Sequence, residues 1–177
     1  IIYCIPGGEQ PLTASLAPPN TGFGIPSAFD LDMGDLFVLD RDVNAVWVYR
    51  NMDTKTQPRL FFGDDIPPMQ DVIDLAVNND DLYLLHSDGH ITQCIYSGMT
   101  AAPTRCEDPF IFSDTRPGRQ GGRVIADALF NEVYFSSPPD PSIYMLDPEN
   151  QAIYHFSVRL ALQRQYRTFQ PLPEGSA

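Results

Sequence analysis

The chain has 177 residues, with 11 Lys and Arg against 23 Asp and Glu, for a net charge of −12 at pH 7. That length suits one ordinary domain with a full core, and an apolar content of 43% with 11% aromatics is globular rather than disordered. The charge argues against nucleic acid, whose affinity rests on Lys and Arg neutralising phosphates, and against an anionic membrane surface; a cation, a basic partner or simple solubility remains.

The 17 prolines and 12 glycines fit an all-β chain with many turns. The best helical candidate, Val158 to Arg167, is short and uncapped. No apolar run approaches the roughly 18–20 residues of a membrane span. The opening IIYCIP lacks an initiator Met and a signal peptide, so a processed or partial polypeptide is expected.

In chain order, the first strong pattern is LFVLDRDVNAVWVYR from Leu36: an alternating apolar run ending in Asp, a polar turn, then Ala and a second alternating run. A looser copy, LYLLHSDGHITQCIY, starts at Leu82, and IYMLDPENQAIYHFS starts at Ile143. A hairpin recurring at steps of 46 and 61 residues, with only strand-type patterns, predicts β-propeller blades.

Each hairpin extends into a four-stranded unit. The first (28–63) reads Ala28–Asp32, Leu36–Leu39, Ala45–Tyr49 and Arg59–Phe62. The second (72–112) reads Val72–Val77, Leu82–Leu85, His90–Tyr96 and Phe110–Phe112. The third (124–169) reads Glu132–Phe135, Ile143–Leu146, Ala152–Phe156 and Leu162–Tyr166. Residues 1–27 supply a broken first blade and a linker, in which IIYCIP aligns with AVWVYR, ITQCIY and AIYHFS, so that Cys4, Val48, Cys94 and His155 are equivalent. Residues 170–177 are a tail. The predicted fold is therefore a single all-β domain, a partial propeller of about three and a half four-stranded blades from a six- or seven-bladed ring. Open edges and uncovered faces are expected at its first and last blades. A four-bladed ring closed by imperfect end strands is the alternative.

The strand–Asp–polar turn–strand pattern of LFVLDRDVNAVWVY and IYMLDPENQAIYHF resembles the NHL and YWTD class of six-bladed propellers. The chain is also similar to propeller regions attached to bacterial phosphatase-like proteins of the 2C type, although it carries no phosphatase catalytic motif. The middle unit departs from the pattern, with His86 in place of the strand-end Asp.

The turns place Asp40, Asp42, Asp147 and Glu149 on one face of the ring, together with Asp64 and Asp65 from a blade connection. Hard oxygen ligands converging on a channel suit Ca²⁺. The competing reading is that Asp and Asn sit in turns because their side chains hydrogen-bond the nearby backbone. No other cofactor is expected.

His86 and His90 flank one turn and could approach each other, but without a third ligand they are a weak metal signal. Cys94 and Cys106 flank a loop at a separation that suits a disulfide, which points to an oxidising compartment: periplasmic, cell-surface or secreted. Two buried free thiols are the alternative. Arg116, Arg119 and Arg123 stand out on so acidic a chain and fit an acidic partner or local carboxylates. Trp47, Tyr49, Tyr83, Tyr134, Tyr144 and Tyr154 are expected in the packing between blades.

No GxSxG elbow and no phosphate-binding loop occurs. The leading functional reading is a non-catalytic interaction or assembly module. Its partner is another protein or the remaining blades of the same parent, within an assembly that is in one version membrane-attached. The alternatives are a propeller-type hydrolase or lactonase with a divalent cation at the channel mouth, and a small-ligand or glycan-binding sensor.

Overall fold

The computed structural model describes residues 2–3, 12–63, 66–79, 81–95, 104–110, 113–114, 128–136 and 139–167. The chain is nearly all β. Strands β1 (Ile2–Tyr3) and β2 (Leu12–Thr13) form a short antiparallel pair. The first full blade is β3 (Pro26–Asp32), β4 (Asp35–Asp40), β5 (Ala45–Tyr49) and β6 (Arg59–Leu60), in sequential order. The second is β7 (Val72–Asn78), β8 (Asp81–His86), β9 (Ile91–Ile95) and β10 (Arg105–Phe110). The third is β12 (Glu132–Ser136), β13 (Ser142–Asp147), β14 (Ala152–Ser157) and β15 (Ala161–Arg167), with β11 (Ser113–Asp114) added in parallel to its outer strand.

Three sequential antiparallel four-stranded sheets, packed face to face with β7 between β3 and β12, make a partial β-propeller. Alternation along each strand explains the packing, because successive side chains point to opposite faces. Phe37, Leu39, Val46 and Val48 leave the first blade to meet Leu75, Val77, Leu82 and Leu84 of the second. Tyr83, Leu85 and Ile91 leave the second blade's other face to meet Ile143, Met145, Tyr154 and Phe156. Each fully buried side chain of this kind contributes roughly 1.5–3 kcal/mol.

The first blade's opposite face is covered over its two middle strands, while Phe29 and Leu31 of its inner strand are exposed. Leu36, Val38, Trp47 and Tyr49 are covered by Leu16 and Phe23, and the Tyr49 hydroxyl donates to the Ala17 carbonyl at 2.6 Å. Burial there pushes the Tyr49 phenol up to about 12. The open first blade expected from sequence is the broken one within residues 1–27, of which 1 and 4–11 lie outside the described residues; its later part folds back over the 28–63 blade. The third blade, in contrast, presents Tyr144, Leu146, Ile153 and His155 on the face turned away from the second.

Two strand assignments also change. The outer strand of the second blade is Arg105–Phe110, not Phe110–Phe112. Cys106 lies directly across from Cys94 and is bonded to it, which sets β10 against β9 in that register. In the same blade, Cys94 pairs with Leu82, as Tyr49 pairs with Leu36, so Cys94 is equivalent to Tyr49 rather than to Val48. The turn between β8 and β9 is one residue shorter than its counterparts, and a one-residue slip moves every following side chain to the other face.

Candidate functional site

The inner strands carry carboxylates where apolar residues would otherwise face the neighbouring blade. Asp30 in β3 accepts a hydrogen bond from the Val77 amide of β7 at 2.8 Å. Asp74 in β7 accepts one from the Val133 amide of β12, also at 2.8 Å. Burial raises both carboxyls above their ordinary range, against the lowering effect of these amides, and Asp74 is pushed up to about 6. The nearby charges of Glu132 and Asp30 add to the rise at Asp74. Glu132, at the start of β12, is opposite Leu146 as Asp74 is opposite Leu85.

Beside these carboxylates lies a cavity of about 490 Å³, walled by Phe29, Asp30, Asp74, Glu132, Tyr134 and Tyr144 and continuing to Leu146 and Ile153 on the open face of the third blade. Phe29 is 62% exposed and Tyr134 63%. Tyr134 is therefore not packed between blades as expected: it stands on the face where no described residue covers it. Tyr144 and His155 stack on that same face with ring centroids 4.7 Å apart. The surface is concave, largely apolar and aromatic, with a few convergent carboxylates, the make-up of a binding site.

The turn residues singled out from sequence lie elsewhere. Asp40 is fully buried, and its Oδ2 accepts from the Gly24 amide at 2.9 Å and the Trp47 indole at 3.3 Å. Its Oδ1 is buried without a partner. Gly24 is required there, because a β-carbon at that position would sit 2.7 Å from this oxygen and from the Asp42 side chain. Asp147 is also buried, accepting from the amides of Asn150 at 3.0 Å and Leu129 at 3.3 Å and from the Asn150 side chain at 2.8 Å. Asp42 and Glu149 are exposed. Among the described residues no three His, Cys, Asp or Glu side chains gather as a metal-ligand group. Asp64, Asp65, Arg116, Arg119 and Arg123 lie outside the described residues.

His86 and His90 do approach, stacking with centroids 3.8 Å apart. Both His86 nitrogens are engaged, Nδ1 with Asp71 and Nε2 with the Thr92 hydroxyl, each at 2.9 Å, while His90 Nδ1 is held by Asp88. His86 thus anchors its turn as Asp40 and Asp147 anchor theirs. Cys94 and Cys106 form a disulfide.

Sequence reasoning passed over the inner-strand carboxylates. A signal was present: AFDLD and VIDLAV each bury an Asp in the middle of an apolar strand, where an unpaired charge is costly and a specific partner is required.

The sequence matches no protein-family model and no curated protein. Several solved structures resemble the chain, two of which follow. A virginiamycin B lyase from Staphylococcus aureus is 12% identical, with 82% of this chain and 42% of that one covered and a TM-score of 0.46. A nidogen/laminin complex is 16% identical, with 84% and 49% covered and a TM-score of 0.47. The chain thus spans less than half the length of either. The likeness to phosphatase-linked propeller regions is not supported by these comparisons.

Proposed function

We propose that the chain is a non-catalytic interaction module that binds another protein through the open face of its third blade. One observation carries this reading: an exposed face of Tyr134, Tyr144, Ile153 and Tyr166, continuous with the carboxylate-lined cavity, whereas the two middle strands of the first and second blades are covered on both faces. Exposed tyrosines with a polar tip and a large apolar body are typical anchors of protein interfaces. The carboxylates beside them and the net charge of −12 favour a partner that brings hydrogen-bond donors or cations to the cavity.

The Cys94–Cys106 bond fits work in an oxidising compartment, outside the cytoplasm. No helix among the described residues is long and apolar enough to cross a membrane.

The test places a photo-reactive amino acid at Tyr134 or, as a control, at the exposed turn residue Lys55, in the native source. Adducts from position 134 that are absent from position 55, and that disappear when Ile153→Lys is added, support the reading. Equal labelling from both positions, or labelling indifferent to Ile153→Lys, overturns it.

A further inference from the structure

The blades repeat the surface by which each receives the next. On the first blade this surface is Phe37, Leu39, Val46 and Val48; on the second, in the same register, it is Tyr83, Leu85, Ile91 and Gln93. On the third it is Tyr144, Leu146, Ile153 and His155. An aromatic, a leucine and a β-branched residue recur in order, and the first two sets are covered by the following blade. The inner strand of each blade also contributes a carboxylate to the same junction. Asp30 takes the amide of Val77, and Asp74 takes the amide of Val133. Asp74 and Glu132 occupy the same register position, opposite Leu85 and Leu146, whereas Asp30 sits nearer its turn, opposite Phe37.

We infer that Glu132 is the third member of this series, and that the partner on the open face is a further four-stranded blade whose inner strand presents a free backbone amide to its carboxylate. The inference rests on the interaction-module reading and names its partner. That blade must be apolar on the face it brings, as Leu82 and Leu84 are towards the first blade and Ile143, Met145, Tyr154 and Phe156 are towards the second. A second copy of this chain does not qualify. On the matching face of its first blade the two middle strands are already occupied by Leu16 and Phe23, with Tyr49 tied to the Ala17 carbonyl, which leaves only the inner strand's Phe29 and Leu31 exposed.

The carboxylate has a physical reason to be there. Between two inner strands the backbone amides lose their water without gaining a ladder partner, and a buried unmet donor is costly. An acceptor aimed across the junction removes that cost and admits only a sheet with its amide in register.

The chain supplies its own probe. A second copy of residues 128–167 appended after Ala177 offers a blade with Val133 at the required place. Amide exchange of Val133 in the appended copy should be slowed by roughly tenfold relative to the same protein with Glu132→Ala in the original blade, the scale of one charge-assisted hydrogen bond. Glu132→Gln, which keeps a carbonyl acceptor, should preserve most of the protection. Ile153→Lys in the original blade should abolish it. Equal protection in the parent and in the Glu132→Ala protein overturns the role given to Glu132 while leaving the face-binding reading intact. An appended blade that stays unprotected in every variant overturns the blade as partner. A dimer of the unappended chain that depends on Ile153 overturns the exclusion of a second copy.

Discussion

The carboxylate of Asp74 and the amide of Val133, 59 residues apart in sequence, meet at 2.8 Å across the junction between the second and third blades. The contact joins two inner strands that share no ladder, and it does so with a group that burial makes reluctant to ionise. A charged Asp74 is therefore a compromise: it is the better acceptor for the amide, but it costs desolvation and feels the charges of Glu132 and Asp30.

This has a pH signature. Asp74 sits at about 6 in the fold against an ordinary value of 3.8. Between those values the folded state binds more protons than the unfolded one, so stability falls as pH rises across the window and is flat for this group below 3.8. A shift of this size corresponds to up to about 3 kcal/mol. Urea unfolding midpoints should therefore decline from pH 4 to pH 7, and Asp74→Asn should remove most of that slope while keeping an acceptor for Val133. A slope unchanged by the substitution would show that other groups carry it.

The two buried turn aspartates should matter for folding whatever they do with cations. Asp147 accepts three hydrogen bonds inside its own hairpin and from Leu129. Asp147→Ala should cost about 1–3 kcal/mol because those donors lose their acceptor in a buried site. Glu149→Ala, on an exposed side chain of the same turn, should stay within about 0.5 kcal/mol. Repeating both measurements at millimolar Ca²⁺ separates the two readings of this turn. A rise in melting temperature that Glu149→Ala abolishes identifies a cation site; the backbone reading expects none.

Much of this architecture is legible in the sequence because a half-buried strand writes itself as alternation, and Asp-ended runs followed by polar turns mark the hairpins. What failed to show was register and partner. The spacing of LYLLHSDGHITQCIY matches its neighbours, yet its turn is one residue shorter in the structure, which puts Cys94 rather than Ile95 against Leu82. Gly89, at φ +85°, lets the chain make that tighter turn. Tyr134 alternates like a core residue and is exposed, because which face is covered depends on another sheet. Asp30 and Asp74 read as interruptions of strands; their partners lie 47 and 59 residues away, beyond the reach of any local pattern.

The disulfide gives a direct count. With Cys94 bonded to Cys106, thiol titration of denatured, unreduced protein should find one reactive thiol, from Cys4. Reduction should lower stability by ~3 kcal/mol on the loop-entropy account of a 12-residue separation. Three reactive thiols would contradict the bond, and with it the chief support for an extracytoplasmic setting.

His86 provides the last test, because it stands where the other two blades use Asp. Its Nε2 meets the Thr92 hydroxyl inside the blade, and both side chains are essentially inaccessible to solvent. Thr92→Val keeps the shape and removes the hydroxyl, leaving one imidazole nitrogen buried and unmet, at an expected cost of about 1–3 kcal/mol. His86→Asp restores the residue found in the neighbouring blades but should also destabilise. Asp147 depends on the Asn150 amide and side chain across a longer turn, and the shortened turn here places Gly89 in that region instead. A His86→Asp protein that unfolds at the same urea concentration as the parent would mean that turn length does not decide which residue anchors the blade.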